Sequence, residues 1–260
     1  MENDNKETKD FKIICLFLQK GGVGKSTMTT AVAYELSKYG KTLIIDGDTQ
    51  GSITNFLTAT FNEENTLLKV LKEESTVSEA ALQVREASDE FKGLYLLGTR
   101  PQDELIKFLA EPFKEEPELL DDLINQAKAA GFKYVLFDLP PTLDFFERVV
   151  LKNCDTILPI VEPEDAAVEQ LKLFAQEMTK IKKRYAKTYQ SSNCLIINKR
   201  NKGKDVHNEY SRILNESFEC YEFIDSKIVS KAINQKMAVQ EFDPSNKMSK
   251  TIASLVEKIR

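Results

Sequence analysis

The chain has 260 residues, 42% of them hydrophobic, enough to bury one substantial core and more consistent with one large α/β domain than with two small ones. A net charge of −5 argues at first sight against a nucleic-acid partner. The four cysteines, Cys15, Cys154, Cys194 and Cys220, have no CxxC or Cys/His spacing, which suits reduced thiols in a cytosol. No apolar stretch is long enough to cross a bilayer, and the polar opening Met1 to Glu7 predicts a frayed N-terminus over residues 1–10 with no signal peptide.

In chain order, the first apolar run, Phe11 to Leu18, leads into Gln19-Lys20-Gly21-Gly22-Val23-Gly24-Lys25-Ser26-Thr27 and then a helical stretch to about Lys38. The usual phosphate-binding loop reads G-x-x-x-x-G-K-[ST]: backbone N–H groups cradle phosphates, a lysine reaches the β and γ oxygens, and a hydroxyl meets Mg²⁺. Gln19 stands where the first glycine should be, yet the working parts remain. Gly21, Gly22 and Gly24 permit the tight turn, Lys25 supplies the cation, Ser26 the hydroxyl, and the following helix points its positive N-terminal dipole at the anion. A glycine-rich turn could join any strand to any helix, but here strand, glycines, Lys-Ser-Thr and helix fall in the required order. The loop also carries a second lysine, Lys20.

The second run ends Ile44-Ile45-Asp46-Gly47-Asp48-Thr49-Gln50, two aspartates suited to a hydrated Mg²⁺ and an attacking water, although D-x-D after a strand is in isolation more often a turn. Further apolar runs follow at Leu94 to Leu97, Lys133 to Asp138, Thr156 to Val161 and Asn193 to Asn198, with helical periods at Ala166 to Tyr185 and Asp205 to Phe218. Several runs are continuous rather than alternating, as for strands buried on both faces of a parallel sheet. The expected fold is therefore α/β, a doubly wound, mostly parallel sheet with helices on both faces and ligands beyond the strands' C-terminal ends. Residues 60–92 and 99–130, acidic and helix-prone, are expected to decorate this one domain, residues 11–260. Asn198 at a strand end could pair with an adenine edge, or be a turn-forming Asn. Cys15 and Cys194 are expected in the core, and His207 at the surface or in a cap.

The charge is unevenly spread. Residues 178–260 carry 17 Lys and Arg against 9 Asp and Glu, and residues 178–204 hold nine basic side chains and no acidic one: Lys180, Lys182, Lys183, Arg184, Lys187, Lys199, Arg200, Lys202 and Lys204. Such a run is either a polyanion footprint or a solvated helix end and loop. Near the C-terminus, Ile252, Leu255, Val256 and Ile259 recur at helical spacing with few charges and no Trp or Phe, which favours core packing over membrane binding.

Lys20-Gly21-Gly22-Val23-Gly24-Lys25-Ser26-Thr27 resembles the deviant Walker A loop of the ParA/MinD family of P-loop ATPases, of the SIMIBI type. The resemblance implies nucleotide contacts from Gly21 to Thr27, with Val23 among them, and a Lys20 that reaches the nucleotide of the other subunit in an ATP-dependent sandwich homodimer. Asp46-Gly47-Asp48 then resembles switch I, with Asp48 as the water-activating carboxylate and Thr49 in place of the usual proline. Tyr134 to Asp138 resembles a Walker B strand whose Asp138 holds Mg²⁺ together with Ser26 and Asp46. Leu139-Pro140-Pro141 resembles switch II, with leucine replacing a hydroxyl residue, which implies slow, partner-stimulated turnover. Asn198 resembles the base-recognising asparagine. Glu241 to Lys247 resembles the segment before the last helix of partition ATPases, which points to ParA. Implied are ATP and Mg²⁺ as cofactors, non-specific DNA bound through Lys199, Arg200, Lys202, Lys204, Lys227, Lys231, Lys247 and Lys250, a ParB-like centromere-binding partner, no membrane, and a cytoplasmic, nucleoid-associated location. The alternatives are a MinD-like membrane-cycling ATPase and a P-loop small-molecule ligase or kinase.

Overall fold

A computed structural model describes residues 11–58, 61–62, 66–100, 103–185 and 193–260. The predicted frayed segment, residues 1–10, and Lys187 of the basic run lie outside the described residues.

The chain opens with β1 (Lys12–Leu16), α1 (Lys25–Leu36), β2 (Thr42–Asp46) and α2 (Ser52–Leu57). Between these and the next central strand lie α3 (Leu67–Leu71), α4 (Val77–Ala80), β3 (Leu82–Arg85), β4 (Leu94–Leu97), α5 (Asp103–Ala110), α6 (Pro112–Glu115) and α7 (Leu119–Ala129). Then follow β5 (Tyr134–Asp138), α8 (Phe145–Asn153), β6 (Thr156–Leu158), β7 (Ile160–Val161), α9 (Ala167–Tyr185), β8 (Cys194–Arg200), α10 (Asp205–Ser217) and β9 (Glu219–Ile224). Helices α11 (Lys227–Asn234), α12 (Val239–Phe242) and α13 (Lys247–Ile259) close the chain.

Among the described residues the strands form a six-stranded sheet of order β3-β4-β2-β5-β1-β6 and a three-stranded sheet of order β7-β8-β9. Pro159 separates β6 from β7: up to Leu158 the segment pairs with β1, and from Ile160 it pairs with β8, while Ile196 N–H donates to the Pro159 carbonyl at 2.9 Å. A proline without an N–H suits this crossing point, where the segment changes partners. All the named strand pairs are parallel except β3–β4. Residues 60–92 thus contribute an antiparallel edge strand as well as helices, and β9 is a strand that hydrophobic runs alone did not predict. Its sequence Glu-Cys-Tyr-Glu-Phe-Ile is only half buried, as befits an edge.

Central strands alternate between two cores. Ile13, Cys15, Phe17, Leu43, Ile45, Val135 and Phe137 face helices α3 to α9, whereas Ile14, Leu16, Ile44, Tyr134 and Leu136 face α1, α2 and α11 to α13. Both faces are therefore covered, which is why the strand sequences read as unbroken apolar runs. The C-terminal helix α13 buries Ile252, Leu255, Val256 and Ile259, so its apolar stripe is spent on the core. No described helix is long and apolar enough to cross a membrane. The parallel arrangement brings the ends of β1, β2, β5 and β7 to one edge of the sheet, and the site lies there.

Candidate nucleotide site

The loop after β1 turns through Gly22 (φ 76°) and Gly24 (φ 91°), left-handed conformations that a side chain resists. Gly24 has a second constraint, since a Cβ there would stand 2.4 Å from the Asn198 amide nitrogen. Gly24 is also the N-cap of α1, whose first turn carries no acidic residue to neutralise its dipole. Lys25 is buried, with its ammonium donating to the Lys20 carbonyl at 3.0 Å; burial lowers its pKa, opposed by the Asp138 and Asp48 carboxylates.

Asp46 and Asp138 end adjacent strands in direct register and are fully buried. One Asp46 oxygen accepts from the Thr54 N–H at 2.9 Å and the Thr54 hydroxyl at 2.7 Å; the other has no partner. Thr99 braces this corner, its hydroxyl donating to the Asp46 carbonyl at 2.6 Å. Neither Asp138 oxygen has a well-formed hydrogen bond, although Ser26 lies near enough to oppose the shift it suffers. Burial, with the neighbouring Asp46 second, pushes Asp138 well above the ordinary carboxylate range, and burial raises Asp46 to about 7. Buried carboxylate oxygens without donors are costly unless a cation joins them. With the Ser26 hydroxyl beside them, this oxygen-only set fits a hydrated Mg²⁺. Among the described residues no three His, Cys, Asp or Glu converge on one point, so an all-protein metal cage is absent there.

Gly47 ties the two carboxylate loops together: its N–H donates to the Asp138 carbonyl at 2.8 Å, and a Cβ would crowd that oxygen and the Leu139 and Phe146 side chains, each at 3.1 Å. Leu139 is fully buried in the core, so no polar side chain stands at that position of the loop. Asp48 accepts from the Gln50 N–H at 2.9 Å and lines a cavity of about 530 Å³ with Gly21, Gly22, Gly24, Lys25, Ser26 and Thr27. Val23 is fully buried beneath the loop.

Asn198 also lines this cavity, its amide donating to the Val23 carbonyl at 2.8 Å, so it braces the phosphate loop as well as facing the ligand space. Immediately after it the β8–β9 pairing slips and Lys199 adopts φ 52°, a bulge that re-aims the strand end. Lys199 turns onto the phosphate loop, its ammonium donating to the Gly22 carbonyl and pairing with Glu162 at 2.7 Å. Arg200 pairs with Glu222 and donates to Asn208. Of the other expected DNA contacts, Lys202 and Lys204 are exposed before α10, Lys227 and Lys231 lie on α11, and Lys247 and Lys250 on α13. His207 is buried rather than superficial and caps the turn, its Nδ1 accepting from the Asn201 N–H at 3.1 Å.

Lys20 lies outside the cavity wall and pairs with Glu164 at 2.8 Å. Sequence reasoning missed Glu162 and Glu164, although a Glu-Pro-Glu directly after an apolar run was a visible signal. It also missed the part of the cavity wall formed by Ile224, Asp225, Ser226 and Val229, because that wall depends on β9.

The AAA domain family AAA_31 matches residues 11–191. Uncharacterized protein BBD21 of Borreliella burgdorferi is 28% identical over 91% of this chain and 94% of its own length. Chromosome partitioning protein ParA of Caulobacter vibrioides is 27% identical over 62% of this chain and 59% of that protein. The crystal structure of a putative plasmid partition protein from Borrelia burgdorferi B31 bound to AMPPNP aligns with TM-score 0.73 and 23% identity, covering 96% of this chain and 99% of that one. The chain belongs to the AAA_31 family of AAA domains and is a P-loop ATPase of the ParA/MinD type.

Proposed function

We propose that the chain is a ParA-type partition ATPase in which residues 11–260 act as one domain: ATP assembles a sandwich homodimer, the dimer binds DNA without regard to sequence, and a ParB-like partner stimulates slow hydrolysis. The observation that carries this reading is the division of labour between the two loop lysines. Lys25 is buried and lines the cavity, whereas Lys20 is held outside it on a partly exposed carboxylate. A cation that close to a phosphate site yet outside its wall is suited to a second nucleotide across a dimer, where it meets triphosphate charge instead of crowding Lys25.

On this reading Gly21 to Thr27 wrap the phosphates and Lys25 neutralises them. Asp48 accepts a proton from the attacking water, and Asn198 faces the base while bracing the loop. Ser26, Asp46 and Asp138 would hold a Mg²⁺ that, when bound, offsets charge developing between the β and γ phosphates. The Borrelia protein's AMPPNP supports a nucleotide ligand. The leucine at Leu139 supports slow turnover, far below the ~10 per second of a median enzyme.

The test is DNA retention by purified protein in ATP, ADP and no nucleotide, at two salt concentrations and with unrelated duplexes. ATP-dependent, sequence-blind, salt-sensitive binding is expected. Lys20→Ala should abolish ATP-dependent dimerisation more than nucleotide binding; a Lys20→Ala protein that dimerises and hydrolyses normally refutes the assignment.

A further inference from the structure

The loop joining β7 to α9, Glu162-Pro163-Glu164, carries two carboxylates, and each holds a different lysine of the phosphate-loop region. Glu164 pairs with Lys20 at 2.8 Å, and Glu162 pairs with Lys199 at 2.7 Å. Lys199 reaches the phosphate loop itself, donating to the Gly22 carbonyl. Pro163 fixes the backbone between the two carboxylates, and the Glu164 N–H donates to the Glu162 carbonyl at 2.9 Å, so the pair is presented as one rigid unit. The Lys20 ammonium beside Glu164 holds that carboxyl below its usual range. Two anions thus face two cations around an anion-binding loop.

We infer that Glu164 and Glu162 are positioning residues that act as internal counter-ions: in the nucleotide-free chain they hold Lys20 and Lys199 in place of phosphate, and a triphosphate must compete these lysines away before they can contact it. The inference rests, for Lys20, on the proposed ATP-dependent dimer. It adds a threshold to that reading, since Lys20 reaches a second nucleotide only after leaving Glu164. The pair is partly exposed, 25% for Lys20 and 43% for Glu164, so the hold is shallow enough for a triphosphate to break.

The experiment measures acylation of individual lysines by an amine-reactive reagent in the nucleotide-free protein, read by peptide mass spectrometry on the full chain. Glu164→Gln should accelerate labelling of Lys20 by about two- to five-fold while leaving Lys199 unchanged, the size of effect expected for one exposed ion pair. Glu162→Gln should do the reverse. Both differences should shrink as salt is raised, because the interaction is between screened charges. Equal labelling in wild type and variants overturns the inference, and so does a general rise at every lysine, which would report loosened structure instead of a missing counter-ion. A second arm measures the ATP concentration at half-maximal dimerisation, which should fall by about two- to five-fold in Glu164→Gln; an unchanged or higher value overturns the threshold. If wild-type protein forms no dimer in ATP, the partition reading fails, while the labelling arm still decides whether the loop holds the two lysines.

Discussion

The two sides of the nucleotide cavity solve opposite electrostatic problems. At the ends of β2 and β5, the carboxyl groups of Asp46 and Asp138 are buried side by side with their pKa values raised by burial, and three of their four oxygens lack a well-formed hydrogen bond. Around the loop after β1 and the end of β8, the cations Lys20 and Lys199 are each matched to a carboxylate, Glu164 and Glu162. The carboxylate side is unsatisfied until a cation arrives, and the lysine side is satisfied until an anion displaces its partners. On the proposed function, Mg²⁺ and triphosphate together would reverse both conditions, the cation meeting the carboxylate half and the anion meeting the lysine half.

The largest effect that sharpens this contrast concerns Asp48, which belongs to neither half. It is partly exposed, its carboxylate takes a backbone N–H from Gln50, and it lines the cavity, so it is available to accept a proton from water. Asp48→Ala should reduce kcat by about 10²–10⁴-fold, the usual size of a general-base contribution, while ATP still binds. Single-turnover hydrolysis with a separate nucleotide-binding titration separates the two. A variant with near-normal kcat would mean that the water is oriented elsewhere.

Next in size is a gain of stability. Removing charge from the carboxylate half should stabilise the ligand-free protein, so Asp46→Asn should raise its unfolding free energy by about 1–3 kcal/mol near neutral pH. The sign follows from the proton balance. Asp46 is raised from 3.8 to about 7 on folding, so between those values the folded chain binds more protons than the unfolded one, and this group's contribution falls as pH rises. The advantage of Asp46→Asn over wild type should therefore open above about pH 4, grow towards about pH 7 and then level off. Urea titrations of both proteins across that range check it, with Mg²⁺ and ATP then expected to stabilise wild type more than the variant. A variant less stable than wild type at pH 7 would break the comparison, because Asp46 would then be satisfied as it stands.

The same contrast explains what the amino-acid sequence could reveal. Phosphate-loop spacing, the Asp46 and Asp138 strand ends and the alternation of buried runs with helices were legible because each is a local pattern of a few residues, and the doubly wound sheet follows from them. The helical stripe Ile252 to Ile259 was likewise readable, and it is buried. What local pattern could not supply was pairing between distant segments. Lys20 and Glu164 are 144 residues apart, Lys199 reaches back 177 residues to Gly22, and Thr54 meets Asp46 only because α2 folds back over β2. Strand β9 escaped because a half-buried edge has no continuous apolar run, and with it went the cavity wall around Asp225. The charge run at 178–204 was visible in the sequence only as composition. Its members nevertheless divide by environment, since Lys199 and Arg200 are turned inwards onto carboxylates while Lys202 and Lys204 are exposed.

That division gives the smallest and most discriminating expectation. If DNA is bound through exposed cations, Lys202→Glu with Lys204→Glu should lower DNA affinity and reduce the slope of log K against log salt by roughly 0.9 for each phosphate left unneutralised, without changing nucleotide affinity. Lys199 stands against the phosphate loop, so Lys199→Glu would place a second carboxylate beside Glu162 and Gly22 and should weaken ATP binding first. DNA binding would then fall only as far as the nucleotide-dependent dimer is depleted, and saturating ATP should restore much of it with the salt slope unchanged. Filter binding at several salt concentrations, at limiting and at saturating ATP, tells the two apart. A lower salt slope in Lys199→Glu at saturating ATP would place that lysine on DNA after all, and the inward-facing and outward-facing cations would then form one surface instead of two.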